Sequence, residues 1–194
     1  MLKLTKMLLI LLFVNQAYSI DKNSIFKELK SKYKNIESIE ISYSNAQNSD
    51  IKGELIALKG NKYRISMGSR IISCDGKTVW NYSIPQKSIL ISEFKELKSV
   101  SIENLFFSEI NQSKVLSLNT INSTESDAKY ELSLVNEKTD FSYKLFLDEN
   151  KNIKSIYFED MDEEWLIEKL NINIKVNKNF EPNISDDIEV IDLR

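Results

Sequence analysis

The strongest constraint on the fold is an alternation of apolar and polar side chains with a period of two. In the first clear instance, Ile39, Ile41 and Tyr43 alternate with Glu40 and Ser42, as in a strand with one buried face. Further stretches of this kind span residues 51–58, 62–67, 70–74, 77–82, 87–94, 114–121, 128–136, 142–147, 153–159, 165–176 and 188–191. So many consecutive strands predict a mainly β protein built on one large sheet.

The connections between these stretches are short and have the composition of turns. Lys59-Gly60-Asn61, Gly68-Ser69 and Asp75-Gly76 each join two successive strands, and Asp-Gly is favoured where a tight hairpin needs a positive φ. The sequence therefore predicts an antiparallel meander, and a sheet of this size must curl.

Two segments have helical spacing instead. The first carries an apolar stripe formed by Ile25, Phe26, Leu29 and Tyr33. We expect Asn23 or Ser24 to cap its first amides. The second interrupts the strands and carries the stripe Ile102, Leu105, Phe106 and Ile110. Two helices are too few to cover both faces of a large sheet, so we expect them to cover the concave face of an incomplete β-barrel.

The N-terminus has the three parts of an export signal. Lys3 and Lys6 flank an uncharged start, an apolar run spans residues 7–14, and Ala17-Tyr18-Ser19 has the small-x-small pattern of a cleavage site. The apolar run is too short to cross a bilayer as a stable helix, although an uncleaved membrane anchor is the alternative. We expect a signal peptide at residues 1–19, cleaved after Ser19, and a single domain at residues 20–194.

Charge and residue types exclude several classes of function. Without Lys3 and Lys6, 24 basic residues stand against 29 acidic ones, a net charge of −5, which argues against nucleic acid and anionic lipid surfaces as partners. The chain has no histidine and one cysteine, so serine–histidine catalysis, histidine-ligated zinc and an internal disulfide are excluded. The acidic run at residues 159–164 lacks the glycine and spacing of a calcium loop. We expect no cofactor, no metal and no enzymatic activity, with a carboxylate-based hydrolase as the alternative.

A longer sequence pattern is more specific. Segment Gly53–Ile65 reads GELIALKGNKYRI, and segment Ile71–Tyr82 reads IISCDGKTVWNY. They resemble, in order, a strand pair and the following hairpin of the outer-membrane lipoprotein carrier (LolA) family. The ending Ile188–Arg194, IEVIDLR, resembles that family's C-terminus, and segment Ile102–Ile110 stands where the family has its second helix. The likeness spans nearly all of residues 20–194.

The resemblance implies a periplasmic chaperone with a LolA-like fold. Such a protein receives acylated lipoproteins from an inner-membrane exporter complex, shields their acyl chains in the half-barrel and delivers them to the outer membrane, with or without an acceptor there. We expect a monomer that carries lipoproteins, with free lipid as the alternative cargo. A sensor that binds a lipidated ligand and signals to a membrane-anchored partner is the alternative function. Such regulators normally carry a second domain, and we expect a single domain here, so the carrier is preferred.

The resemblance and the alternation together predict the cavity wall. We expect the acyl-chain cavity and its lid to involve eight side chains, the last three of them on the second helix: Tyr63, Ile65, Met67, Trp80, Tyr82, Ile102, Leu105 and Phe106. Ordinary core packing is the alternative for each, because the wall of an empty lipid cavity is itself core. Cys74, in an alternating apolar strand without a basic neighbour, is expected to be a buried and unreactive thiol.

One position departs from the family pattern. In the best-studied branch of the family, an Arg-Pro pair stands where this chain has Lys59-Gly60, and that arginine ties the lid to the sheet. A lysine ammonium cannot reproduce the planar, multi-donor geometry of a guanidinium. At Lys59, the lid-locking position by resemblance, we therefore expect a looser lock or one made by other groups.

Overall fold

One twelve-stranded sheet forms the body of the protein in a computed structural model that describes residues 21–95, 102–122, 127–176 and 179–194. The predicted signal peptide lies outside these residues. The strands are β1 (Ser38–Asn45), β2 (Lys52–Leu58), β3 (Lys62–Met67), β4 (Arg70–Asp75), β5 (Thr78–Ser83), β6 (Ser88–Glu93), β7 (Lys114–Thr120), β8 (Tyr130–Asn136), β9 (Phe141–Leu147), β10 (Ile153–Phe158), β11 (Glu163–Ile172) and β12 (Glu189–Asp192).

The strand order across the sheet is β12-β6-β5-β4-β3-β2-β1-β11-β10-β9-β8-β7. Two meanders therefore meet where β1 pairs with β11 at the middle of the sheet. β7 and β12 lie at opposite edges and do not pair with each other, so the sheet is open. The prediction of a mainly β, incompletely closed barrel is confirmed. The expectation of a wholly antiparallel sheet is wrong in one place, because β12 runs parallel to β6.

Two helical segments cover one side of this sheet. Helix α1 spans Lys22–Tyr33. Helix α2 follows β6 and consists of an α-helical turn at Ile102–Asn104, a π-helical turn at Leu105–Glu109 and a last α-helical turn at Ile110–Gln112. The predicted cap of α1 is wrong by two or three residues: Asp21 is the N-cap, and its carboxylate accepts a hydrogen bond from the Asn23 amide at 3.1 Å.

The side of the sheet that carries the helices is called the inner face here, and the other side is the outer face. Cross-strand pairing links Ile39 with Ala57 and Ile41 with Leu55 on the inner face. These side chains are at most 1% exposed and join Leu29 of α1 in one apolar core. The helices thus bury the inner face of β1, β2 and β8–β10, and the hydrophobic effect favours this burial.

Two glycines show why the turns and strands take this form. Gly76, in the predicted Asp75-Gly76 turn, has a φ of +97°, and the Asp75 carboxylate accepts hydrogen bonds from the amides of Lys77 and Thr78, both at 2.8 Å. The hydrogen bond from the Thr78 amide, with smaller contributions from its neighbours, lowers the pKa of Asp75. At Gly53 an added Cβ would lie 2.4 Å from Cζ of Tyr43, so this glycine lets the Tyr43 ring lie flat on β2.

Candidate functional site

Among the residues that the structure describes, the helices do not fill the inner face of β3–β6, which borders a cavity of about 660 Å³. Its apolar wall is formed by Tyr63, Ile65, Ile72, Val79, Phe94 and Leu193. Most of these side chains are half-buried rather than sealed in the core. A volume of this size lies within the range of small-molecule and cofactor sites.

Strand register explains why these residues meet. Tyr63 lies opposite Cys74, and Cys74 lies opposite Val79. Ile65 lies opposite Ile72 in the next row. Because residues paired across neighbouring strands share a face, the first row is apolar across three strands. The second row is apolar across two, and Asn81 lies opposite Ile72 at its end.

The C-terminus completes one rim of the cavity. The Leu193 amide donates to the carbonyl of Ile91 at 2.9 Å, which places the Leu193 side chain at the cavity although it is 64% exposed. Leu90 and Ile191, paired across β6 and β12, are 37% and 43% exposed. Exposed aliphatic groups beside an apolar cavity are typical of a surface that binds an apolar ligand.

The polar groups of the cavity are few and lie among or beside the apolar wall: Asn81, Ser92, Glu93 and Lys95. Among the residues that the structure describes, no three acidic, histidine or cysteine side chains gather where they could hold a metal ion. The cavity therefore offers apolar contact along its wall and a small number of hydrogen-bonding or charged groups. An aliphatic chain with a polar end matches this arrangement chemically.

The predicted cavity residues fall on two different faces of the sheet. Tyr63 and Ile65 line the inner cavity, and Met67 shares their face but is 39% exposed near the end of β3. Trp80 and Tyr82 lie on the outer face, where Trp80 pairs with Ser73 and Ile91 rather than with the cavity row. The structure therefore does not bring the β3 set and the β5 set together.

The predicted lid residues of α2 lie mainly in the core. Leu105 and Phe106 are 0% exposed, and Ile102 is half-buried against the same core. The Phe106 ring meets the Tyr33 ring of α1 edge-on, with the centroids 5.6 Å apart. Burial raises the pKa of Tyr33 to about 12. In this conformation α2 is packed against α1 and the sheet and does not present its stripe to the cavity.

A buried polar group holds the π-helical turn of α2 to the sheet. Glu109 is 7% exposed, and its carboxylate accepts a hydrogen bond of 2.5 Å from the side-chain amide of Asn136, which is fully buried. One turn further on, Ser113 Oγ lies 2.9 Å from the phenol oxygen of Tyr143. Burial also raises the pKa of Tyr143 above its ordinary value. These contacts attach α2 to β8 and β9, and the sequence reasoning did not find them.

Lys59 does not contact α2 through any hydrogen bond or ion pair of the described residues. Its ammonium group lies 3.2 Å from the carboxylate of Glu37, and both side chains are exposed. This pair joins the end of β2 to the residue just before β1. Exposed pairs of this kind add little stability. Whether a lid is locked more loosely or by other groups stays a prediction.

Sequence reasoning missed four residues of the cavity wall: Ile72, Val79, Phe94 and Leu193. The sequence did contain a signal for Ile72. Gly68-Ser69 is a two-residue turn, so Met67 must lie opposite Arg70. Counting back from that pair places Ile72 opposite Ile65, on the same face.

A solved structure shares this fold. An uncharacterized conserved protein from Thermus thermophilus superposes with a TM-score of 0.52, at 12% identity, and the match covers 88% of this chain and 98% of that protein. LprF from Mycobacterium bovis aligns with a TM-score of 0.42 at 7% identity, over 84% of this chain and 97% of its own. At 12% identity the first likeness shows a common fold and nothing further.

No family model and no curated protein matches the sequence. None of the described helices is long and apolar enough to cross a membrane.

Proposed function

We propose that this protein is a non-catalytic carrier that holds the acyl chains of lipoproteins in the inner-face cavity. The observation that carries the proposal is the inner face of β3–β6, which the described helices leave unfilled and where an apolar wall borders a cavity of about 660 Å³. The resemblance of segments Gly53–Ile65 and Ile71–Tyr82 to the lipoprotein carrier family supports the same function. On this proposal the chain is a divergent relative of that family.

The energetics of acyl chains support a container of this kind. Exposing an acyl chain to water costs roughly 0.8 kcal/mol per CH₂ group, so a chain of ~16 carbons brings a penalty of about 12 kcal/mol. An aqueous compartment can be crossed only if that surface stays covered. The half-exposed wall beside Ile65 and Val79 covers a chain without enclosing it completely, which permits release.

Substitutions at two neighbouring residues of β3 test whether an acyl chain binds in this cavity. Ile65 faces the cavity, whereas Ser66 lies on the opposite face and lines neither cavity nor core. Ile65→Asp would place a carboxylate against the acyl chain, where it must be desolvated or protonated. We expect this variant to bind a dansyl-labelled undecanoic acid and a triacylated lipopeptide at least tenfold more weakly, while Ser66→Asp binds both like the unmodified protein.

Circular dichroism must show that both variants are folded before binding is compared. Equal binding by Ile65→Asp and the unmodified protein would place the acyl chain elsewhere. Equal loss in both variants would mean that added negative charge, and not the cavity wall, is responsible.

Export and cargo need tests on protein taken from cells. We propose that the mature chain begins at Ile20 in the periplasm, which N-terminal sequencing of the exported fraction checks. Native mass spectrometry of the same material identifies what is bound. A co-purified acylated lipoprotein supports the carrier. An empty protein that instead associates with an inner-membrane regulator supports the sensor.

A further inference from the structure

A second pocket lies on the outer face of β3–β6, on the opposite side of the sheet from the acyl-chain cavity. It has a volume of about 370 Å³. Its floor is formed by Ile71, Trp80 and Tyr82, and its roof by Pro182, Ile184 and Ile188. Residues 179–188, called the C-terminal strap here, cross over these strands before the chain enters β12.

The composition of the strands explains why a strap is present. The outer faces of β5 and β6 carry Trp80, Ile89 and Ile91, which are 6%, 1% and 6% exposed. Ile184 and Ile188 of the strap pack against this cluster. Without the strap, this apolar surface would lie in water.

Within the described residues, polar contacts with the sheet hold the strap at its C-terminal end, and Phe180 near its start is buried. Lys87 Nζ lies 3.0 Å from the Asp187 carboxylate, and the Glu189 amide donates to the Lys87 carbonyl at 2.9 Å. Between residues 179 and 186, no hydrogen bond of the described chain joins the strap to the sheet. The roof of the pocket is therefore held by apolar contact and can adjust to a ligand.

One cation lines this apolar pocket. Arg64 is exposed and faces outward from β3, and no ion pair or hydrogen bond of the described residues engages its guanidinium. Its cross-strand neighbours on this face are Ile56 and Ser73, which are uncharged. Glu54, an acid on the same face of β2, lies opposite Ser66 instead, and no ion pair of the described chain joins it to Arg64.

We propose that this pocket binds a small amphipathic carboxylate, whose anionic head pairs with Arg64 and whose short aliphatic tail lies between Trp80 and the strap. A guanidinium binds a carboxylate with two parallel hydrogen bonds. The apolar floor and roof supply contact for the tail, and a volume near the small end of the ligand-site range limits its length. The site is separate from the acyl-chain cavity and does not depend on the proposed carrier function.

Sodium octanoate and 1-octanol are suitable probes because they share a tail and differ in the head group. In a Trp165→Phe background, Trp80 is the remaining tryptophan and reports on the pocket through its emission. We expect octanoate to produce a saturable change, and octanol to bind about tenfold more weakly because it lacks the charge-assisted pair.

Three variants locate the binding. Arg64→Gln should weaken octanoate binding by about tenfold and leave octanol binding unchanged. Lys62→Gln, which removes a positive charge from the same strand and face without lining the pocket, should bind octanoate normally. Ile184→Trp fills the pocket from the roof and should abolish octanoate binding measured by calorimetry, in a protein that melts normally.

The Ile65→Asp variant separates this pocket from the cavity on the inner face. Octanoate binding that survives Ile65→Asp but not Arg64→Gln supports the proposal. Binding lost in Ile65→Asp and retained in Arg64→Gln would place octanoate in the acyl-chain cavity and overturn it. Equal affinity for octanoate and octanol, or no saturable binding of octanoate, would also overturn it.

Discussion

Replacing Phe106 by alanine tests whether α2 is part of the core or a lid that leaves it. Phe106 is fully buried in the structure, and its ring contacts Tyr33 of α1 edge-on at a centroid distance of 5.6 Å. The sequence predicted a lid whose stripe meets the cargo, and in such a protein α2 would swing outward when no cargo is bound. The two descriptions predict different stability losses for the ligand-free protein.

The expected loss of stability in Phe106→Ala follows from the burial of Phe106. Phe→Ala in a packed core costs about 3–5 kcal/mol, from lost transfer free energy and the cavity that remains. For a domain of this size, each kcal/mol lowers the melting temperature by about 2–4 °C. If α2 stays docked, we expect Phe106→Ala to lower the melting temperature of the ligand-free protein by roughly 6–20 °C.

Thermal unfolding followed by circular dichroism measures this loss, and Leu29→Ala in α1 is the matched control. Leu29 is also fully buried, and its replacement should cost about 2–5 kcal/mol whether or not α2 moves. The reasoning is refuted if Leu29→Ala lowers the melting temperature as expected while Phe106→Ala changes it by less than about 2 °C. In that case Phe106→Asp should weaken retention of a fatty-acid probe while leaving the fold intact.

Three further predictions concern single groups. Gly53→Ala should cost about 1–3 kcal/mol in urea unfolding, because the new Cβ would force Tyr43 out of its packed position; an unchanged midpoint would show that the ring moves freely. Cys74 is 0% exposed, so a polar maleimide should label it only on unfolding, and rapid labelling of the native protein would contradict its burial. Burial raises the pKa of Tyr33 to about 12 and that of Tyr143 further. The unfolded chain ionises first, so stability should fall as the pH rises above about 10, and absorbance titration should show that Tyr33 and Tyr143 ionise later than an ordinary tyrosine.

The sequence predicted the strands well because their signal is local. Alternation within β1, β3 and β9 depends only on side chains two residues apart, and most of the inner-face residues of these strands are buried or half-buried as expected. The parallel pairing of β12 with β6 has no such signal. It depends on where the C-terminal strap leads the chain after β11, which the pattern of residues 188–191 does not specify.

The faces of β4–β6 show where alternation alone was insufficient. Ile71-Ile72, Val79-Trp80 and Ile89-Leu90-Ile91 place apolar side chains on both faces. The outer ones pack under the strap and the inner ones lie on the cavity side, so these strands lose the alternation. Whether Trp80 points inward or outward then follows only from register: Tyr63 pairs with Cys74, and Cys74 with Val79, so Trp80 points outward. The Glu109–Asn136 contact was beyond sequence reasoning because it joins residues 27 positions apart.

The helices cover the inner face of the sheet unevenly. Substitutions on its two parts should therefore affect stability and binding to different extents. The helices seal the inner side of β1, β2 and β8–β10, where residues such as Leu55 and Leu145 are at most 1% exposed, so a change there removes core contacts. On β3–β6 the inner residues Ile65 and Val79 are half-buried, and the free protein already tolerates that partial exposure. Because less apolar area is buried there in the empty protein than in the core, a substitution on this side removes less folding free energy. If an acyl chain binds there as proposed, the same substitution lies in direct contact with it. Substitutions on β3–β6 should then weaken binding more than they lower the melting temperature.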